Sequence, residues 1–191
     1  MPLIRAFIAI AVPSSLQDTV EKIQSSFREI RTPIRWVKPS HLHLTLKFLG
    51  NISEKQINGV KKCLTLASQG LPGFTLKSTE IGVFPNINYP KVVWLGFSDP
   101  TGQLHELEEN IETQLQKIGF KGEDRKFTPH LTIGRIKSLQ GKTDLIRIIH
   151  NEKNTSYEDI DVKYCNLMKS NLTPSGPEYS VLHSFPLKDE K

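Results

Sequence analysis

Apolar and polar residues alternate strictly along residues 41–50, HLHLTLKFLG, which is typical of a β-strand with one buried face. The alternation predicts a strand over residues 41–49 that ends at Gly50. Its apolar side chains, Phe48 among them, are expected to face the core. The opposite face would carry His41, His43, Thr45 and Lys47. That face would therefore present proton-transfer and hydrogen-bonding groups to whatever lies above it.

The rest of the chain alternates between helical and extended patterns. Apolar residues that step by three and four positions predict four helices. They begin at Ser14, after a capping box at Ser53–Gln56, near Leu104 and at residue 143. Period-two patterns predict strands over 3–12, 41–49, 73–83, 91–97, 129–136, 157–168 and 178–187. We therefore predict an α+β fold, in which helices cover one side of largely antiparallel sheets.

A second stretch of the chain repeats the first. In FTPHLTIGR, residues 127–135, the residues His130-Leu131-Thr132-Ile133 echo His43-Leu44-Thr45-Leu46, and the two histidines lie 87 positions apart. Two pseudo-symmetric lobes, each giving one His-x-Thr strand to a central cleft, would account for the repeat. We therefore predict a bilobal molecule with its helices on the outside, forming a single domain over residues 1–191.

The repeated residues are suited to acid–base chemistry on a phosphate. Histidine is the side chain whose ordinary pKa lies nearest neutrality, so one imidazole can accept a proton while another donates one. A threonine two residues further along a strand lies on the same face, about 6 to 7 Å away. Its hydroxyl can donate to an oxygen of the group on which the histidine acts. Two facing His-x-Thr units therefore describe a clamp with an acid and a base on opposite sides of a phosphate.

The composition of the chain indicates the class of protein, the charge of its partner and its location. The chain has 191 residues, 37% of them hydrophobic, and 25 Lys and Arg against 20 Asp and Glu give a net charge of +5. These values are typical of a globular protein, and the positive charge favours an anionic partner. The two cysteines, Cys63 and Cys165, cannot form a disulfide framework, so a reduced, cytoplasmic location is expected.

Three other interpretations of the sequence are disfavoured. The N-terminal stretch MPLIRAFIAIAVP resembles a short signal peptide, but Arg5 interrupts its apolar run and an opening core strand fits better. No apolar run approaches the length that spans a membrane. The His41-x-His43 pair suggests a metal site, but no Cys, Asp or Glu stands nearby at suitable spacing. We therefore expect no membrane anchor, no metal and no cofactor.

The paired motifs resemble those of the two-histidine (2H) phosphoesterase superfamily. Three flanking stretches narrow the match: RAFIAI at residues 5–10, LKFLG after the first motif and FTP before the second. Ser170, Gly176 and Tyr179, which precede the last strand, fit as well. Nearly the whole chain thus resembles the bacterial and archaeal RNA 2',3'-cyclic phosphodiesterases, a family also called 2'-5' RNA ligases.

The resemblance implies metal-independent hydrolysis of a 2',3'-cyclic phosphate at an RNA end to a 2'-phosphomonoester. By analogy with the family, His43 would be the proton donor to the departing 3'-oxygen, and His130 the proton acceptor that activates water. Thr45 and Thr132 would donate hydrogen bonds to the non-bridging oxygens. The partners would be RNA ends or nucleotides with a 2',3'-cyclic phosphate, and we expect a monomer.

Three further residues are candidates for substrate binding. Arg135 matches a family arginine that contacts the phosphate or the adjoining nucleotide. Strict alternation places it on the opposite face from His130, but a bulge at Gly134 would turn it back. Arg5 and Phe7 share the non-core face of the first strand, where Phe7 could stack on a base or pack beneath a helix. The other aromatic residues considered, Phe84, Trp94 and Phe97, are expected in the core.

The same residues are compatible with other activities. A 5'-hydroxyl in place of water would give 2'-5' RNA ligation, the reverse reaction, with the same two histidines. A nucleotide-binding module without turnover would not need a matched acid and base. A third interpretation is a small-molecule phosphodiesterase that acts on nucleotide 1'',2''-cyclic phosphates. The basic charge of the chain favours a longer polyanion over such a substrate only slightly. The sequence leaves open the RNA substrate and the direction of the reaction.

Overall fold

One continuous sheet organises the computed structural model, which describes residues 3–27, 30–124, 126–152, 155, 157–174 and 176–188. Its strands in these ranges are β1 (Ile4–Ala11), β2 (Ile34–Trp36), β3 (His43–Ile52), β4 (Phe74–Phe84), β5 (Val92–Ser98), β6 (His130–Ile136), β7 (Ile160–Val162), β8 (Tyr164–Thr173) and β9 (Gly176–Pro186). The helices are α1 (Ser14–Ser26), α2 (Glu54–Ser68), α3 (Gln103–Gln116) and α4 (Lys142–Asn151). The predicted α+β class is confirmed.

The strands lie in the order β7-β4-β5-β6-β3-β1-β8-β9, with β2 paired to β6, and every ladder between them is antiparallel. The two strands that carry the repeated motif, β3 and β6, are neighbours at the centre. The first half of the chain contributes β4 to the side of the sheet that holds β5 and β6, and the second half contributes β8 to the side that holds β1 and β3. Each side of the sheet therefore contains strands from both halves of the chain, and the buried residues of the two sides form one hydrophobic cluster.

The helices form where the apolar pattern predicts them. Ser53 caps α2 in a capping box with Gln56, since its hydroxyl accepts a bond from the Gln56 backbone N–H and its own N–H donates to the Gln56 side chain. The core-facing positions of the helices are buried; those of α1 and α3 are Leu16, Val20, Ile23, Leu104, Leu107, Ile111 and Leu115. The 3.6-residue period of these side chains thus marks the face that packs on the core.

Three strand predictions need correction. The segment 34–36 forms β2, which the sequence pattern did not indicate. The single strand predicted over 157–168 is divided into β7 and the start of β8, and β8 continues to Thr173. The strand predicted over 41–49 begins only at His43, because Pro39–His41 form a 3-10 turn, and it continues past Gly50 to Ile52. Gly50 permits the continuation with a positive φ of 72°, a conformation that favours glycine.

A β-bulge in β3 reverses two predicted orientations. Ile8 of β1 lies opposite Lys47, but Ala9 lies opposite Thr45, so Leu46 is an extra residue. As a result Lys47 is buried, with 7% of its surface exposed, whereas Phe48 is 69% exposed. The strict alternation that placed Phe48 in the core and Lys47 beside the histidines was wrong, because it assumed a regular strand.

The inward turn of Lys47 creates a buried ion pair beneath the sheet. Its Nζ donates to Oε1 of Glu112 on α3 at 2.5 Å and to the backbone carbonyl of Lys121 at 2.9 Å. Only 6% of the Lys47 side chain and 15% of the Glu112 side chain are exposed. The pair therefore ties the bulged part of β3 to α3 and to the loop that follows α3.

We expect Lys47→Ala to lower the free energy of unfolding by about 3 to 5 kcal/mol, the usual effect of removing one partner of a buried ion pair. The reason is that the Glu112 carboxylate would remain buried without a compensating charge. Denaturation in urea measures the change.

Two variants control this prediction. Lys47→Met combined with Glu112→Leu removes both charges and should recover most of the loss. Lys77→Ala breaks a solvent-exposed pair with Asp159, and should have a much smaller effect because water screens that pair. Equal effects of Lys47→Ala and Lys77→Ala would show that the buried pair does not stabilise the fold.

Candidate active site

The two repeated motifs meet where β3 and β6 pair. Leu44 lies opposite Leu131, and both side chains are fully buried. Because side chains alternate along a strand, the residues on either side of each leucine face the opposite way, into a cleft. Because the two strands run antiparallel past this pair, the histidine of each motif lies on the same side of it as the threonine of the other. These four residues, the His/Thr quartet, line one cavity of about 550 Å³: His43, Thr45, His130 and Thr132.

The two histidines make the same local hydrogen bond. Nδ1 of His43 lies 2.8 Å from the carbonyl oxygen of His41, and Nδ1 of His130 lies 2.7 Å from that of Thr128. Since a carbonyl oxygen only accepts, Nδ1 carries a hydrogen in each ring. Nε2 is therefore the atom that gains or loses a proton. Both rings are held in the tautomer that can act as a base when neutral and as an acid when charged.

Different aromatic residues pack against each imidazole. The ring of His43 lies 4.7 Å from Phe7 and 5.0 Å, edge-on, from Tyr179. The ring of His130 lies 4.9 Å, edge-on, from Phe84, which itself stacks on Trp94. Phe84 and Trp94 are half-buried supports of His130 rather than core residues, whereas the expectation for Phe97 is met, with 5% exposure. The aromatic contacts restrict the orientation of both rings.

Phe7 lies on the cleft face of β1 but is only 2% exposed. It packs against His43 and Tyr179, and Phe48 lies beyond it with ring centroids 6.1 Å apart. The exposed aromatic at this end of the cavity is thus Phe48, which the bulge turns outward. Phe7 supports His43 from below.

Burial changes the acid–base properties of the site. It lowers the pKa of His43 below its ordinary value, and the nearby His41 acts in the same direction, while the hydrogen bond to the His41 carbonyl opposes both. Burial raises the pKa of Tyr179, against the effect of the positive charges of Arg135 and Arg5. The neutral imidazole of His43 is therefore favoured when the cavity holds no anion.

A second bulge places Arg135 in the cavity. Val93 of β5 lies opposite Gly134 and Trp94 lies opposite Thr132, so Ile133 is the extra residue on β6. The carbonyl of Ile133 accepts bonds from the Val37 backbone N–H at 3.0 Å and from Nε2 of the buried Gln24 at 3.1 Å. The bulge predicted near Gly134 is present, and it returns Arg135 to the face of the histidines.

Strand β2 contributes residues that the sequence analysis missed. It pairs with β6 where β3 no longer does, with Arg35 opposite Arg135 and Trp36 opposite Gly134. A Cβ on Gly134 would lie 2.7 Å from atoms of Ile34 and Trp36, so only glycine allows this close approach. Residues 34–36 follow no clear period-two pattern. Two signals were still available in the sequence: Arg35-Trp36 ahead of the first motif, and Gly134 just after the second, where a glycine marks the close approach of another strand.

The cavity is lined by cations and by no carboxylate among the described residues. Its permanently charged side chains come from β1, β2, the segment after β2, and β6: Arg5, Arg35, Lys38 and Arg135. The predicted site residues Arg5, Phe7 and Arg135 thus share one cavity with the His/Thr quartet. Such a lining attracts an anion and repels a cation.

The described part of the chain has neither a metal-ligand cluster nor a membrane-spanning helix. The residues in it contain no group of three or more His, Cys, Asp or Glu side chains that could hold a metal ion. None of its helices is long and apolar enough to cross a membrane. His41, which together with His43 suggested a metal site, packs edge-on against Tyr179 with ring centroids 5.5 Å apart.

Comparison with known proteins identifies the family. The sequence model of the LigT like phosphoesterases matches residues 10–94 and again residues 95–179. The chain belongs to the LigT-like phosphoesterase family. Each of the two matched segments contains one of the His-x-Thr motifs, so this LigT-like phosphoesterase carries the repeat throughout most of its length.

The relatives of this LigT-like phosphoesterase match over almost its full length. It is 36% identical to the RNA 2',3'-cyclic phosphodiesterase of Methanocaldococcus jannaschii, over 95% of this chain and 99% of the relative. It is 33% identical to the enzyme of the same name from Methanothermobacter thermautotrophicus, over 96% and 99%. The structure of Escherichia coli LigT is similar, with a TM-score of 0.74 and 26% identity over 98% of this chain and 99% of LigT. LigT has also been solved with 3'-AMP.

The lowered pKa of His43 predicts an acid-dependent loss of stability. In the unfolded chain the imidazole titrates near its ordinary pKa of about 6.5. Just below that pH the unfolded state binds a proton at this imidazole, whereas the folded state does not. The contribution of His43 to the free energy of unfolding is therefore complete above about pH 6.5, and it is lost as the pH falls through the lower pKa of the folded state. We expect His43→Gln to lose less stability than the wild type between about pH 7.5 and pH 5.

Urea denaturation at both pH values measures this difference. His150→Gln, which removes an exposed imidazole on α4, controls for the loss of one histidine. A variant His43→Gln that loses as much stability on acidification as the wild type would contradict the assignment of a buried, neutral His43.

Proposed function

We propose that this phosphoesterase hydrolyses the 2',3'-cyclic phosphate at an RNA end to a 2'-phosphate and a free 3'-hydroxyl, without a metal. The observation that carries the proposal is the His/Thr quartet. Two histidines with identical hydrogen bonds stand on adjacent antiparallel strands, each on the same side of the Leu44–Leu131 pair as the threonine of the other motif, in a cavity lined by cations. The names of the archaeal relatives support the same substrate.

In the proposed reaction a water molecule attacks phosphorus in line with the 3'-oxygen. Nε2 of His130 takes a proton from the water, the bond between phosphorus and O3' breaks, and Nε2–H of His43 gives its proton to O3'. The ring opens and the phosphate stays on O2'. Each histidine must lie about 3 Å from the oxygen that it serves, which fixes the ribose in one orientation.

The threonines and cations act on the charge of the phosphate. The cyclic diester carries one negative charge, and a second develops as water adds. Thr45 and Thr132 donate hydrogen bonds to the non-bridging oxygens, and Arg135 lies on the same face. Because a bound anion favours the charged imidazole, it opposes the burial that lowers the pKa of His43. A histidine of lowered pKa is also a stronger acid once it is protonated.

The ligand of the E. coli relative supports a nucleotide as the bound group. LigT has been solved with 3'-AMP, a nucleoside with a phosphate on its ribose. The reverse reaction, ligation to a 5'-hydroxyl, would use the same two histidines with the hydroxyl in the place of water. Hydrolysis is our proposal because the relatives are named for it.

One incubation tests substrate, metal and product together. Purified protein in EDTA is given an RNA that ends in a 2',3'-cyclic phosphate, and phosphorus NMR identifies the product. We expect full activity in EDTA and a 2'-phosphate nearly free of the 3'-isomer, because the clamp exposes only one P–O bond opposite the water. Activity that EDTA abolishes and zinc or magnesium restores would overturn the metal-free mechanism.

A mixture of phosphate isomers would contradict a different part of the proposal. It would mean that the site binds the phosphate but does not orient the ribose, and the separate roles of His43 and His130 would have to be abandoned. Added RNA with a 5'-hydroxyl, in the same incubation, shows whether ligation competes with hydrolysis.

The pH dependence of single variants assigns the two histidines. His43→Ala and His130→Ala should each lower kcat by about 10²-fold to 10⁴-fold, the usual contribution of one acid or base. The double variant should lose less than the product of both effects, because the residues act as a unit. The remaining activity of His130→Ala should fall as the pH rises through the pKa of His43, since it depends on an acid.

His43→Ala should show the opposite slope, because its remaining activity depends on the neutral, basic form of His130. Stopped assays between about pH 5 and pH 8 separate the two slopes. If the slopes are exchanged between the variants, His43 is the base and His130 the acid. Circular dichroism confirms that each variant is folded.

A further inference from the structure

Two arginines of the cavity stand directly opposite each other. Arg35 on β2 pairs with Arg135 on β6, and residues so placed have Cβ atoms about 5 Å apart. Both side chains are exposed and both line the cavity. Neither belongs to any ion pair formed within the described ranges. Like charges in directly opposite positions destabilise the pairing of two strands. An anion bound between the two guanidinium groups would therefore relieve their repulsion.

The positions of the guanidinium groups define a path out of the cavity. Arg135 is close enough to Tyr179 for its charge to oppose the rise in the pKa of that phenol, and Tyr179 stands edge-on to His43 at 5.0 Å. Nη2 of Arg35 comes within 3.5 Å of the place that a Cβ on Gly176 would occupy, so its side chain reaches towards the β8–β9 turn. Arg135 thus lies nearer the histidines, and Arg35 lies farther along the cavity.

The spacing of these groups fits two phosphates on one ribose. Thr132 and Arg135 are three residues apart, one of which is the extra residue of the bulge, so their Cα atoms are about 7 to 10 Å apart. At an RNA end, the terminal ribose bears the cyclic phosphate on O2' and O3' and a phosphodiester on O5'. With the first held by the His/Thr quartet, the second lies one ribose away.

We propose that Arg35, with Arg135 beside it, binds the phosphodiester on the 5' side of the terminal nucleoside. The inference rests on the proposed function and adds a substrate class to it: RNA ends are preferred to mononucleotides. The planar fork of arginine matches the two free oxygens of a phosphodiester. Because no described carboxylate lines the cavity, neither guanidinium has a competing partner there.

Three substrates test the inference. The first is adenosine 2',3'-cyclic phosphate, the second is the dinucleotide ApA ending in the same cyclic phosphate with a free 5'-hydroxyl, and the third is that dinucleotide with an uncharged methylphosphonate linkage. We expect the wild type to have the highest kcat/KM on the charged dinucleotide. The methylphosphonate should lose most of the advantage, because it keeps the second nucleoside but removes the charge.

Arg35→Ala should lower kcat/KM on the charged dinucleotide by about tenfold, the usual contribution of a hydrogen bond to a charged group. Its effect on the mononucleotide and on the methylphosphonate should be much smaller, because neither carries the phosphodiester charge that the proposal assigns to Arg35. The salt dependence of kcat/KM on the dinucleotide should become weaker, because the variant lacks one charge contact that salt screens.

Controls separate charge, folding and position. Lys55→Ala removes one charge from the exposed face of α2, outside the cavity, and should leave the substrate preference intact. Arg35→Gln keeps a polar, hydrogen-bonding side chain on β2 but removes the charge, and should repeat the loss seen in Arg35→Ala. Because the substitution relieves a like-charge contact, the melting temperature of either Arg35 variant without ligand should not fall.

Several outcomes would overturn the inference. An equal loss on all three substrates would place Arg35 on the terminal phosphate or in a structural role. Loss of the dinucleotide preference in Arg5→Ala, but not in Arg35→Ala, would place the phosphodiester on the opposite wall of the cavity. A wild type that turns over the mononucleotide and the dinucleotide equally well would refute the second site alone, whereas one inactive on every cyclic phosphate would refute the proposed function itself.

Discussion

The pairing of Leu44 with Leu131 joins the two halves of the sheet, and the geometry of the site depends on it. Both leucines are fully buried, so their strand neighbours must face the cleft, and the antiparallel course of the strands sets each histidine on the same side of the pair as the threonine of the other motif. Beyond this point β2 replaces β3 along β6, and a cavity opens between the central strands. A longer β3–β6 ladder would have closed that space.

Both central strands have a bulge at the residue directly after the motif threonine, Leu46 in β3 and Ile133 in β6, and β3 has a second bulge at Leu49. The bulge turns the fifth residue after each histidine into the cleft, which is Phe48 in one strand and Arg135 in the other. An extra residue disrupts ladder hydrogen bonds and needs other partners. In β6 the Val37 N–H and the Gln24 side chain bind the carbonyl of the extra residue Ile133. In β3 the bulge turns the side chain of Lys47 inward, where it pairs with Glu112.

Structural features that depend only on which residues are buried can be predicted from the sequence. Features that depend on the partner strand, such as bulges and short strands, cannot. The four helices, the capping box at Ser53 and the paired motifs follow from periodicity, because a regular element exposes its own pattern of burial. Lys47 and Phe48 exchange faces because register with β1 inserts an extra residue, which no period within β3 reveals. β2 has only three residues and owes its conformation to β6, so its own composition does not indicate a strand.

In the proposed reaction, one repeated motif provides two opposite chemical roles. Both histidines bond a carbonyl through Nδ1, so the motif itself makes them equivalent. Their surroundings differ: His43 lies against Phe7 and Tyr179 and near His41, whereas His130 lies against Phe84. Burial lowers the pKa of His43, and the phosphate of the proposed substrate would act against that effect. Duplication thus supplies two equivalent imidazoles, and it is the unequal packing around them that can divide the tasks of acid and base.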